Sequence, residues 1–86
     1  PKVPWIEQIL SSGAVCLGLL NAALASGWGA NWLTGWVAHD RPFAEAAYGL
    51  KEGEIVAGII HVGTENSAPP ERPRPDISAI TTWIDA

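Results

Sequence analysis

PWIEQILSSGAVCLGLLNAALAS, residues 4–26, reads as one long helix. Pro4 suits the first turn, where a missing N–H costs nothing, and Glu7 lies near the positive end of the helix dipole. Gly27 ends the helix and Gly29 follows. The apolar residues do not form one stripe. Ile6, Ile9, Leu10, Val15, Leu17, Leu19, Leu20 and Leu24 go round the cylinder, as expected of a helix surrounded by protein. Ala14, Gly18, Ala22 and Ser26 recur at i, i+4 spacing. They predict a ridge of small side chains along which another helix approaches closely.

Outward from that helix, charge narrows the choice of environment. Residues 8–39 contain no Lys, Arg, Asp or Glu, and charges return at ordinary density from Asp40 onward. A stretch that long without charge is either membrane-spanning or buried in protein. Small residues four apart are also a device for packing membrane helices. Ser11, Ser12, Asn21 and Ser26 dilute the run, however, and the stop at Gly27 leaves about 18 strongly apolar positions, the low end of a span. No Lys/Arg cluster flanks either end to set an orientation. A buried helix of a soluble protein is therefore expected, with a small membrane protein as the remote alternative.

The chain has 86 residues, of which 48% are apolar and 16% charged, and it holds five Trp. Folded alone, a chain of this length exposes roughly 4,900 Å² and buries about 63% of its unfolded surface. That is a modest core for so large an apolar load. A net charge of −4 excludes the basic footprint of a nucleic-acid-binding protein. Low charge with high hydrophobicity excludes intrinsic disorder. Cys16, the single cysteine, excludes an intramolecular disulfide framework and a cysteine-based structural zinc site. The chain begins at Pro1, holds no Met and shows no basic segment ahead of a short apolar one, so no secretory signal is visible. Asn66-Ser67-Ala68 fails as a glycosylation acceptor. A cytoplasmic location is expected, and the chain is expected to be part of something longer.

Residues 27–38, GWGANWLTGWVA, place Trp28, Trp32 and Trp36 four apart, but Gly27, Gly29 and Gly35 argue against a continuing helix. A short strand over residues 30–34 is expected, with turns on both sides. Gly27 and Gly29 fail as a dinucleotide fingerprint: no third Gly is in place, and they follow a helix rather than a strand. Asp40-Arg41-Pro42 predicts a helix with Asp40 as its N-cap, running to about Tyr48 and ending at Gly49. After the polar turn Lys51-Glu52-Gly53-Glu54, residues 55–63, IVAGIIHVG, form the clearest strand. Apolar on both faces, it is expected at the centre of a sheet. Its only companion lies near Trp32, and two strands do not make an independently stable sheet. Further strands are expected from an absent N-terminal part or a partner chain. Residues 64–76, TENSAPPERPRPD, hold four of the seven prolines and are expected to run extended over a surface. Residues 77–84 fit a short terminal helix and a strand equally well.

Few residues suggest chemistry of their own. His39 is expected in a loop, and His61 in the central strand as a core or interface imidazole. They have no ligand-type spacing, so no metal site is expected. No G-x-S-x-G elbow exists, Cys16 reads as packing, and the scattered acids form no acid/base pair. Arg72 and Arg74 stand out. Two apart in a proline-stiffened segment, they can converge on a dianionic phosphate. The competing reading is a pair of surface arginines matched with Glu71 and Asp76.

Taken in order, these segments resemble the C-terminal half of the nitroreductase family of flavin-dependent oxidoreductases, in its small, compact subgroup. The resemblance covers nearly the whole chain. It rests on Val3-Pro4-Trp5 opening a small-residue helix, Ala25-Ser26-Gly27-Trp28-Gly29-Ala30 ending it, and Trp32-Leu33-Thr34-Gly35. Gly49-Leu50, residues 55–64 and the tail Pro69-Pro70-Glu71-Arg72-Pro73-Arg74-Pro75-Asp76 complete it. Each piece is weak alone; their order is what is specific.

The resemblance implies an α+β fold, a mixed sheet flanked by helices in an intertwined homodimer, of which residues 1–86 are the C-terminal part. It implies that the long helix packs at the dimer interface and that the extended 64–76 arm reaches the other subunit. It implies two FMN molecules bound at that interface, reduced by NAD(P)H and reoxidised by a nitroaromatic, quinone or activated alkene in a ping-pong cycle. Position by position, Trp32, Leu33, Thr34 and Gly35 match the segment against the flavin ring, and Arg72 and Arg74 match the phosphate-binding positions. The family's N-terminal half, with its Arg/Ser-rich flavin-binding segment, is absent, so this chain alone is not expected to bind FMN productively. Trp28, Trp32 and Trp36 are read as core packing or as walls of the acceptor cavity. The alternative from another class is a non-catalytic flavin-binding or dimerisation domain.

Overall fold

The computed structural model describes residues 2–85. Its elements are α1 (Trp5–Ala25), β1 (Gly29–Leu33), α2 (Trp36–His39), α3 (Arg41–Tyr48), β2 (Ile59–Gly63) and α4 (Ile77–Ile80). Helices with one small sheet agree with the expected α+β class.

α1 forms where its sequence predicts, one residue shorter at each end. Pro4 precedes the first turn rather than joining it: its backbone is extended (φ −56°, ψ 145°), and its carbonyl accepts from the N–H groups of Glu7 at 3.1 Å and Gln8 at 3.2 Å. At the far end Gly27 takes φ +89°, a conformation that favours glycine. The N–H of Gly27 then donates to the Leu24 carbonyl and that of Trp28 to the Ala23 carbonyl, both at 3.1 Å. This is the paired bonding of a Schellman cap. Ser26 belongs to the cap as well, its hydroxyl donating to the Ala22 carbonyl at 2.8 Å. With 21 residues and a mean hydropathy of 1.6, α1 is long and apolar enough to cross a membrane by length and composition, a test that the core helix of a soluble protein also passes.

β1 and β2 pair antiparallel, with Gly29 opposite Gly63, Trp32 opposite Ile60 and Leu33 opposite Ile59. Alternation puts Ala30, Trp32, Ile60 and Val62 on one face of the sheet. That face meets α1, where a Cβ on Gly13 would touch the Trp32 ring at 3.8 Å. Gln8, Gly13, Cys16, Leu20 and Ala23 make the half-buried stripe of the helix. The rest of α1 is bare. No residue of it is buried, and the ridge Ala14, Gly18, Ala22 and Ser26 is exposed along with Ile6, Leu10, Val15, Leu17, Leu19 and Leu24. The all-round apolar surface predicted a helix enclosed by protein; within this chain it is covered on one side only.

Strand bounds and the setting of one histidine differ from expectation. The strand expected over residues 55–63 begins only at Ile59, and the one expected over 30–34 ends at Leu33. β1 stops opposite Ile59 and turns away, which leaves residues 55–58 without a pairing partner. β2, expected at the centre of a sheet completed by strands from outside this chain, has β1 as its one neighbour among the described residues and an open edge opposite, where such a strand would pair. His61, expected as a core or interface imidazole, is exposed, which removes the core reading and leaves the interface one. His39, expected in a loop, lies in the single turn of α2. Gly35 (φ 77°, ψ −170°) redirects the chain out of β1, and the Asp40 N–H closes the turn on the Trp36 carbonyl at 2.8 Å. α3 matches its prediction at both ends, with Asp40 Oδ2 accepting from the Phe43 N–H at 3.0 Å and Gly49 in the left-handed region. Residues 64–76 hold neither helix nor strand and bend at Asn66 and Ser67, and the equal choice over 77–84 resolves into a one-turn helix followed by chain without regular structure.

Ala38 and Ala44, where α2 meets α3, are the buried apolar residues. Phe43 packs against Trp36 with ring centroids 4.9 Å apart and against Tyr48 at 6.0 Å.

Candidate functional site

β1 carries Trp32 into the space between α1 and the 53–57 segment. The indole Nε1 donates to the Ala57 carbonyl at 3.4 Å, and the other end of the ring approaches Gly13 of α1. Trp32 stays 38% exposed. With Trp5, Ile9, Thr34, His39 and Ile55 it walls a groove of about 780 Å³.

Of the four residues expected beside a flavin ring, Trp32 and Thr34 line this groove and Leu33 and Gly35 do not. Strand alternation sends Leu33 to the opposite face, where it is exposed. Trp28 and Trp36 lie outside the groove and are mostly exposed, so Trp32 is the member of the tryptophan series that serves as a wall.

The groove rim is clasped by Arg41. Its Nε pairs with Glu45 Oε1 at 2.7 Å, one terminal nitrogen donates to the Lys51 carbonyl at 2.6 Å, and the other donates to the Glu54 carbonyl. Glu54 Oε1 in turn accepts from the Lys51 N–H at 2.7 Å. One planar fork thus holds the 51–54 turn against α3, and Gly53 and Glu54 of that turn line the groove. Trp5, His39 and Ile55 were not singled out for the site from sequence. His39 carried a faint signal in its position just before the Asp40 cap; Trp5 and Ile55 carried none, because only the packing of α1 against the sheet brings them together.

Arg72 and Arg74 lie exposed on the proline-rich segment and line neither this groove nor the shallower hollow of about 340 Å³ beside His61 and Asn31. Arg74 Nε pairs with Glu71 Oε1 at 2.7 Å, both side chains well exposed. Asp76 is not matched with an arginine; its Oδ1 accepts from the N–H and hydroxyl of Ser78 at the start of α4. An exposed pair of the Arg74–Glu71 kind contributes about 0–1 kcal/mol, so it yields readily to a competing anion.

Taken separately, the groove wall suits the ring of FMN and the two arginines its phosphate, but the described residues do not bring them to one site. The groove volume falls within the roughly 300–1,000 Å³ typical of small-molecule sites. Its wall offers an indole face and a hydroxyl, and two guanidinium forks two residues apart suit a dianionic phosphate.

No family model matches the chain. Curated relatives do. Over 63 residues, 73% of this chain and 34% of the relative, it is 33% identical to the Escherichia coli K12 protein named "Putative NAD(P)H nitroreductase YdjA". Over 64 residues, again 73% of this chain and 34% of the relative, it is 38% identical to the Haemophilus influenzae protein named "Putative NAD(P)H nitroreductase". The chain spans about a third of the length of the curated relatives it matches. Over that third, it is a partial nitroreductase-like chain.

Proposed function

We propose that residues 1–86 are the C-terminal part of a nitroreductase-like domain, with residues 64–76 as its extended arm. The complete protein is then a cytoplasmic, FMN-dependent oxidoreductase that uses NAD(P)H. The observation that carries this reading is the identity of 33% and 38% to two proteins named as NAD(P)H nitroreductases. When bound, FMN would supply the redox chemistry, taking a hydride from NAD(P)H and passing electrons to a nitroaromatic, quinone or activated alkene in a ping-pong cycle. The chain's own residues bind and orient. Trp32 and Thr34 offer a ring face and a hydroxyl, Leu33 offers backbone, and Gly35 permits close approach of backbone to ring. Arg72 and Arg74 hold the phosphate.

The exposed apolar side of α1 supports a homodimer in which that side is covered, with FMN at the interface and the rest of the domain supplying the strands that β1 and β2 lack. It does not favour a membrane span: a two-stranded sheet with open edges packs along α1, and unpaired strand edges are intolerable in hydrocarbon.

The complete protein is expected to purify yellow, release flavin on denaturation and bleach on addition of NADH or NADPH. A colourless protein overturns the proposal. One that holds FMN yet is reduced by neither nucleotide is a non-catalytic flavin-binding domain instead.

A further inference from the structure

Glycines are kept for two physical reasons, a backbone conformation that other residues avoid or a lack of room for a Cβ. Gly27, Gly35, Gly49 and Gly53 have positive φ and nothing within 4 Å of a built Cβ. Gly58 is the converse. Its φ is not in the left-handed region, yet a Cβ there would lie 1.9 Å from Trp32 Nε1, 2.5 Å from Cδ1 and 3.1 Å from Cε2. The three nearest atoms all belong to one indole. That ring is no loose end that swings aside cheaply: Nε1 is bonded to the Ala57 carbonyl and the opposite edge rests near Gly13.

We infer that Gly58 is a positioning residue. By carrying no side chain it lets the Trp32 indole lie across the 57–58 backbone, and so sets where β1 ends and how Thr34 and Gly35 are presented. The inference rests on the flavin reading above, because those two residues lie in the segment assigned to the flavin ring. The same contact explains why β2 starts late. The Ala57 carbonyl is taken by an indole N–H just before the strand begins at Ile59. A side chain at position 58 moves the ring, breaks that bond and shifts the two residues that follow Leu33. Small displacements of positioning groups have large effects on a bound reactant.

The test is a double-mutant cycle in the complete protein with Gly58→Ala, Trp32→Leu and the pair, read by FMN affinity, by the midpoint potential of the bound flavin at saturation, and by Tm. G58A alone is expected to weaken FMN by about tenfold or more and to shift the potential, whereas in the W32L background it changes affinity within about twofold, as coupled neighbours require. Equal losses in both backgrounds, or no loss in either, overturn the inference. A lowered Tm with unchanged potential also overturns it, since packing alone gives that result. Should G58A fail to fold, recovery of folded, flavin-binding protein in G58A/W32L supports the clash, and an equally unfolded double variant overturns it. A wild-type protein without flavin overturns the flavin reading and this role with it, even where Tm shows the coupling. A flavin-binding protein without coupling overturns this role alone.

Discussion

At Asp40 one residue ends one helix and starts the next. Its N–H closes α2 on the Trp36 carbonyl, and its Oδ2 caps α3 through the Phe43 N–H. Asp40→Ala is expected to destabilise the complete protein by about 1 kcal/mol in chemical denaturation, and Asp40→Asn by much less, because Asn caps as well as Asp. Next to it, Arg41 spans a carboxylate and two carbonyls with one planar fork. A Lys ammonium is a point charge on a flexible stem and cannot span all three. Arg41→Lys is therefore expected to free the 51–54 turn. Amide exchange at Glu54, whose N–H donates to the Lys51 carbonyl at 3.1 Å, should rise about tenfold, the scale set by losing a charge-assisted hydrogen bond, while exchange within α1 stays unchanged. Arg72 and Arg74 answer to a different measurement. If both hold the FMN phosphate, replacing both with Ala weakens FMN by about a hundredfold or more, since each charged hydrogen bond carries about 1.5–3 kcal/mol. Unchanged affinity in a flavin titration removes the phosphate assignment and leaves them as surface arginines.

Among the elements, those with local signals were legible. α1 was readable from Pro4 through Gly27 and α3 from Asp40 through Gly49, because caps and glycine stops act within a few residues of chain. β2 was readable as an apolar, β-branched run, but its start was not, since that depends on where β1 ends and on the Trp32 indole, 25 residues away in sequence, occupying the Ala57 carbonyl. α2 was hidden because one turn offers no periodicity to read. At the site, the sequence picked out Trp32 and Thr34, while the groove they share with Trp5, His39 and Ile55 exists only through the packing of α1 on the sheet. The ridge of α1 remains without a partner among the described residues. Gly18 is exposed and has nothing within 4 Å of a built Cβ, so Gly18→Leu projects a bulky side chain from the small-residue face. If a second copy docks there, G18L is expected to shift the complete protein from dimer to monomer in sedimentation velocity. A dimer of undiminished stability assigns the ridge to some other neighbour.

At the scale of the whole molecule, exposed surface is the deciding quantity. The chain exposes 7376 Å², about 2,500 Å² more than the roughly 4,900 Å² expected of a folded protein of its mass. Its radius of gyration of 16.9 Å compares with about 12 Å for a compact domain of this length. A standard interface covers only about 800 Å² per partner, so one such contact does not account for the excess. Under the proposed assembly the rest of the domain and a second subunit share the cover, the first completing the open edges of the two strands and the second meeting the bare outer side of α1. The isolated 86-residue chain in water is accordingly expected to self-associate and to bind a hydrophobic dye, and to retain no flavin colour. The complete protein is expected in the detergent-free soluble fraction, with dye binding suppressed. Small-angle scattering on the isolated chain is the check. A monodisperse monomer with a radius of gyration near the compact value of about 12 Å would mean that these residues close their own core, and the shared body on which the proposed function depends would fall with it.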